Sequence, residues 1–184
     1  MLWLIVLIAI VIIFLVTIGF YNRFVVLRNR INNALAQIDV QLKKRADLVP
    51  NLIETVRGYV KHEEKMINAV TRARKELIAV LPEDVAKKVK AGDALQSALK
   101  SLFAIAENYP KLRANENFLK LQEELTAIED KIAYARQFYN DSVLELENAI
   151  KTIPGRWFAT LFKIGAEKYI KIPEAERAPV KVKF

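Results

Sequence analysis

The chain has 184 residues, enough for one ordinary domain plus an anchor, and its lack of cysteine excludes disulfides, thiolate nucleophiles, lipid attachment through sulfur and Cys-based zinc or iron–sulfur sites. A single histidine excludes the di-iron centre of helical bundles, which needs a Glu-x-x-His unit on each of two helices. The 29 Lys and Arg against 21 Asp and Glu give +8, which by itself admits nucleic acid or anionic lipid as a partner.

Leu2 to Tyr21 holds no charged residue, and its 20 residues as a helix would span roughly 30 Å, the thickness of a bilayer core. A cleaved signal peptide is the alternative. Against it, no basic residue precedes the apolar run and no small-x-small pattern follows within it. Residues 1–22 are therefore predicted to be a single-pass anchor in a cell membrane. Between Arg23 and Lys61 eight basic residues face three acidic ones, and from Arg156 onward seven face three. These two segments carry more than the whole net charge, so its position points to an anionic leaflet rather than to nucleic acid. The accumulation just after the span favours a cytoplasmic bundle, with the extracytoplasmic side as the alternative.

Few glycines and many Ala, Leu, Lys and Glu favour helix throughout. Residues 23–154 are expected to form the bundle. In the first helix, to about Arg57, Ile31, Leu35, Ile38, Leu42, Val49, Leu52 and Val56 keep a heptad-like spacing in which Arg45 occupies one seam position. Pro50 is expected to bend or break it. A second helix runs from about Glu63 to Val80, with His62 in its approach or first turn. A third runs from about Val85 to Asn108, with a break or restart at Gly92-Asp93, and Pro110 closes it. The fourth, about 115–150, carries Phe118, Leu121, Leu125, Ile128, Ile132, Ala135, Tyr139, Leu146 and Ile150, with Asn115 as its N-cap and Ser142 as the polar step. The first and fourth helices are each about 35 residues or roughly 50 Å long, and short loops favour an antiparallel up-down-up-down arrangement. After Pro154-Gly155, residues 155–172 mix aromatics with cations: Arg156, Trp157, Phe158, Phe162 and Lys163. Such a segment suits a membrane interface, together with Arg23, or a short helix packed on the bundle. Residues 173–184 form a charged tail without periodicity, expected to be mobile.

A seam arginine is costly to desolvate alone, so Arg45 or Arg136 is expected to pair with Asp47, Glu107 or Glu129 and set helix register. The alternative is that Arg45 runs its head out to water past Leu42 and Val49. Tyr109, Tyr139, Asn140 and Asn51 are further turn-forming, capping or bridging candidates. The pairs Glu63-Glu64, Glu123-Glu124 and Glu129-Asp130 point to different sides of a helix and read as solvated faces. Neither a nucleophile elbow nor a glycine-rich phosphate loop is present. No catalytic residue, metal ligand or cofactor is assigned.

Several ordered pieces resemble the LemA family of membrane-anchored helical proteins, across about residues 21–154: Tyr21-Asn22, the run from Gln41 to Leu52, His62-Glu63, Thr71-Arg72-Ala73-Arg74, the run from Glu107 to Ala114, Phe118 with Leu121, Glu129 with Arg136, and Tyr139-Asn140. Leu146-Glu147 stand where the family often has a second Tyr-Asn pair. The resemblance implies an anchored antiparallel bundle, no settled activity, and a link to membrane metallopeptidases as a suggestion of partner. The leading reading is a non-enzymatic interaction or scaffold protein of the cell envelope whose partners are the bilayer and another membrane protein, with homo-oligomers left open. The alternatives are anionic-polymer or nucleic-acid binding, an enzyme built from carboxylates and arginines, and ligand sensing.

Overall fold

The computed structural model describes residues 1–60, 63–81 and 84–171, and every regular element among them is helical. These are α1 (Leu2–Arg57), α2 (Glu64–Ala79), α3 (Val85–Ala106), α4 (Pro110–Arg113), α5 (Glu116–Lys151) and α6 (Gly155–Leu161). The readings made for His62, Ile172 and the 173–184 tail lie outside the described residues. The apolar run and the first bundle helix form one helix of 56 residues. The chain divides into two compact units, Met1–Leu35 with Arg136–Tyr169, and Ala36–Ala135 with Ile170–Phe184.

The second unit is the bundle in which the heptad-like seam closes. Ile38, Leu42, Val49, Leu52 and Val56 are buried on α1, Ile67, Val70 and Leu77 on α2, Val89, Leu95, Leu99 and Leu102 on α3, and Phe118, Leu125, Ile128 and Ile132 on α5. Each side chain of this size removed from water contributes about 1.5–3 kcal/mol, which is why short amphipathic segments such as α2 hold helical form. Asp39 pairs with Lys88, and Arg45 reaches Gly92, so α3 runs with α1. Tyr59 meets Asn115, and Arg45 meets Glu129, so α5 runs against it. Tyr109, after α3, donates to Glu63, before α2, at 3.3 Å, so those two helices are also antiparallel. The order is up-down-up-down.

Local chemistry sets the starts. Asp84 caps α3 by accepting from the Lys87 amide at 3.1 Å, and Asn115 caps α5 by accepting from the Phe118 amide at 3.0 Å. The Asn115 amide also donates to the Tyr59 hydroxyl at 2.9 Å. One side chain thus starts α5 and ties it to the end of α1.

One expectation is corrected here. No break occurs at Gly92-Asp93, because α3 continues through both residues. Gly92 is buried, and a Cβ there would stand 2.6 Å from Leu42 Cδ2, so glycine serves close packing of α3 on α1 rather than a turn. At Pro50, where a bend or a break is expected, α1 continues without a break. Proline has no amide to give the carbonyl four residues back, which is that of Ala46. Arg74 of α2 supplies the donor instead, with Nε 2.7 Å from the Ala46 carbonyl oxygen. The proline defect in one helix is repaired from its neighbour, while Val49 and Leu52 beside it stay fully buried.

This repair makes a specific prediction. Arg74→Met should cost about 1–3 kcal/mol by leaving a partly buried carbonyl unsatisfied. In a Pro50→Ala background, where residue 50 regains its amide, the same change should cost much less. Denaturant unfolding of the four proteins checks it, and equal costs in the two backgrounds would refute the repair.

Candidate functional site

Two clusters gather most of the polar and aromatic residues singled out above, one in each unit. In the second unit, the seam position of α1 turns the Arg45 side chain into the core, where it is 1% exposed. Its Nη2 meets the Glu129 carboxylate on α5, and its Nη1 donates to the Gly92 carbonyl of α3 at 3.4 Å. The route to water is therefore not taken, because the packed side chains of three helices enclose the guanidinium. Among the carboxylates considered, Glu129 is brought to Arg45, and Asp47 and Glu107 are not. Asp47 points outward and pairs with Lys43 at 2.7 Å, a solvated i,i+4 contact. Glu107 sits exposed at the C-cap of α3. Tyr109 lies against Glu63, and its hydroxyl is pushed above its ordinary pKa by desolvation first and by that carboxylate second.

Glu129 retains 23% of its side-chain exposure, whereas Arg45 has almost none. The pair is consequently asymmetric. Glu129→Met should destabilise by about 3 kcal/mol or more, since it removes the Glu129 carboxylate from an enclosed guanidinium, while Arg45→Met should cost less because Glu129 can turn to water. The double Met variant should be more stable than Glu129→Met alone. Denaturation of full-length protein in a fixed detergent would show this order or its reverse.

The first unit holds the second cluster. Phe20 and Tyr21, the last residues of the uncharged run, meet the segment that follows α5. Phe20 stacks on Phe158 with centroids 4.8 Å apart, and Tyr21 meets Phe162 edge-on at 5.1 Å. Gly155 allows this approach: it is buried against the Ala149 carbonyl, where a Cβ would collide, and the Phe20 ring lies 3.5 Å from that Cβ position. The segment from 155 thus forms a short helix that turns one aromatic side to α1. Trp157 is left outside, and Arg23, Arg156 and Lys163 are exposed. α6 closes with two bonds, Ile164 N–H to the Ala159 carbonyl at 2.9 Å and Lys163 N–H to the Thr160 carbonyl at 3.3 Å. This is a Schellman cap whose left-handed residue, normally glycine, is Lys163 with φ 53°.

Beyond α6 the chain is held along α5. The buried Tyr139 donates to the Lys168 carbonyl at 2.8 Å, its phenol pushed up by burial and secondarily by Glu167. Tyr169 donates to Glu147 at 2.6 Å, and Lys151 donates to the other oxygen of that carboxylate at 2.5 Å. Glu147 thus serves as an anchor point for two donors. No sequence periodicity links Glu147 to a partner 22 residues away, so this contact is not legible along the chain. Arg30 pairs with Glu145 at 3.1 Å between exposed faces. Arg136 is buried on α5, and Asn140 is half-buried one turn on.

The hydrogen bonds from Lys151 first and Tyr169 second hold Glu147 below the usual carboxylate range, and the same bond to Glu147 raises the Tyr169 phenol. A lowered carboxylate stabilises above its unfolded value of about 4.3 and loses that contribution as pH falls through the folded value. A raised phenol stabilises below about 10 and loses it as pH rises through the folded value. The Tyr169 attachment should therefore hold across the neutral range and loosen at both extremes. Carboxyl-carbon NMR should find the Glu147 midpoint below that of an exposed Glu, and Tyr169→Phe should raise it. An unchanged midpoint would contradict the contact.

An apolar run on a long helix, an aromatic collar at its end and an all-helical bundle define a membrane-associated helical protein. The chain belongs to the LemA family: that family's sequence model matches residues 34–184, running past Pro154 through the aromatic and basic stretch. Protein LemA of Metamycoplasma hominis is 25% identical over 139 residues, covering 76% of this chain and 63% of that protein. Magnetosome protein MamQ of Magnetospirillum gryphiswaldense is 22% identical over 184 aligned residues, covering 87% of this chain and 68% of that protein. The match thus spans slightly less than two thirds of the length of the first relative.

Proposed function

We propose that this chain is a non-enzymatic, single-pass membrane protein whose bundle binds another membrane protein as an interaction or scaffold element. The observation that carries the reading is the apolar part of α1: Met1 through Val16 are exposed throughout, with Trp3 and Met1 the most open, so this surface has no covering among the described residues. Its mean hydropathy reaches 3.2, which suits a bilayer core rather than a soluble partner. The charge bias after the span favours a cytoplasmic bundle. A membrane metallopeptidase is the partner class that the family resemblance suggests.

The second unit offers one face suited to a protein partner. A groove of about 570 Å³ lies between α1 and α5, lined by Gln37, Gln41, Ala127, Asp130, Lys131, Tyr134 and Ala135. Tyr134 is 70% exposed there, an amphipathic ring of the kind enriched at interfaces. The Gln41 side-chain oxygen is buried with no hydrogen-bond partner among the described residues, so an incoming donor would satisfy it.

A photo-crosslinking residue in place of Tyr134, in full-length protein in native membranes, tests this. One membrane protein should be captured, and its capture should fall at least tenfold when Gln41→Leu is added and be absent when the crosslinker replaces the exposed Lys44. Equal labelling from both positions, or labelling of lipid alone, would overturn the assignment of this face.

A further inference from the structure

The short helix after α5 has three distinct stripes. Gly155, Phe158, Ala159 and Phe162 face inward, with Phe158 on Phe20 and Phe162 on Tyr21. Trp157 and Leu161, four residues apart, form an outward apolar ridge, each 65% exposed. Arg156, Thr160 and Lys163 form the third stripe, beside a concavity of about 580 Å³ that Lys151 also lines. Lys151 is neutralised by Glu147. Arg156 and Lys163 have no carboxylate partner among the described residues, which leaves this stripe cationic.

A side chain with an apolar body exposed beside cations that no described carboxylate neutralises fits few surroundings, and the neighbouring elements decide which. The inward stripe rests on Phe20 and Tyr21, where the uncharged run ends and Arg23 begins the charged chain. With residues 2–21 read as the span, that contact would place α6 at the depth of the boundary between acyl chains and headgroups. Tryptophan concentrates at that level, and cations there meet lipid phosphates.

Lys163 adds an independent observation. A left-handed conformation is unfavourable for a residue with a Cβ, and glycine would relieve it. Lysine at the C′ position is thus a local strain that places a charge on the basic stripe.

We propose that α6 is a second membrane-docking element, with Trp157 and Leu161 seated among the lipids of an anionic leaflet and Arg156 and Lys163 bound to their phosphates. This rests on the reading of residues 2–21 as membrane-spanning, and the two tryptophans of the chain, Trp3 and Trp157, separate the two ideas. Docking at a second point restrains rotation of the anchor helix and fixes which side of the first unit faces the lipid.

The test uses full-length protein in vesicles of phosphatidylcholine with or without phosphatidylglycerol, containing acyl chains brominated at shallow or deep positions. In a Trp3→Phe variant, Trp157 should be quenched by shallow bromines, more strongly with phosphatidylglycerol, and salt should weaken the effect. Lys163→Gly keeps and relaxes the helix cap while removing the charge. It should weaken the docked state about fivefold, read as loss of quenching at lower salt, and Arg156→Gln should act similarly. Lys163→Arg should retain docking. In a Trp157→Phe variant, Trp3 reports the anchor: if Trp3 is quenched and Trp157 is not, the docking proposal fails while the anchor stands. If neither is quenched, the anchor reading fails with it. Trp157 shielded from aqueous iodide but untouched by bromines would mean a protein contact and would also overturn the proposal.

Discussion

A guanidinium cannot shed its charge at any pH the protein meets, so a buried arginine must find compensation where it lies. Arg45 stands on the apolar seam of α1, with almost no exposure, and Glu129 and the Gly92 carbonyl reach it from α5 and α3. Three helices therefore share one register. Slipping α5 by one turn would carry Glu129 away by about 5.4 Å, a distance no side-chain adjustment recovers. The leucines and isoleucines around the pair would tolerate that slip far better, since one apolar neighbour replaces another. The pair accordingly contributes to which bundle forms more than to how stable it is.

The same dependence on a neighbouring helix recurs at the proline. Ala46 loses its own helix donor because of Pro50, and Arg74 of α2 provides another. At Gly92 the lack of a side chain lets α3 come close to Leu42, and that closeness brings its carbonyl to Arg45. The bundle of the second unit is thus specified by residues whose local effect is unfavourable. A proline, a glycine and a buried charge are each placed where a particular neighbour offsets them.

The first unit follows a different logic. Its fixed points are aromatic stacking of Phe20 on Phe158, the Tyr139 bond to the Lys168 backbone and the Tyr169 contact with Glu147. These hold the segment after α5 against long helices while leaving Trp157 and Leu161 outside. An apolar run that is exposed in the folded chain and an aromatic collar at its end suit a protein whose surroundings are partly lipid.

Helical class, the seam from Ile31 to Val56, the buried face of α5, the capping role of Asn115 and the family could all be read along the chain. They depend on spacing within about 3–4 residues, which the linear order displays directly. The sequence also marked Arg45 as anomalous, because a charge interrupted a regular apolar repeat. It did not choose among Asp47, Glu107 and Glu129, and it wrongly suggested a break at Gly92. Those outcomes depend on separations such as the 84 residues between Arg45 and Glu129. Periodicity carries no information at that range. Likewise, an aromatic and basic segment after Pro154 was visible, yet which rings turn inward and which stay outside was decided by the end of α1 at Phe20 and Tyr21. Local repeats determine elements and their buried faces, whereas partners across elements are determined only when packing brings their backbones to a definite distance.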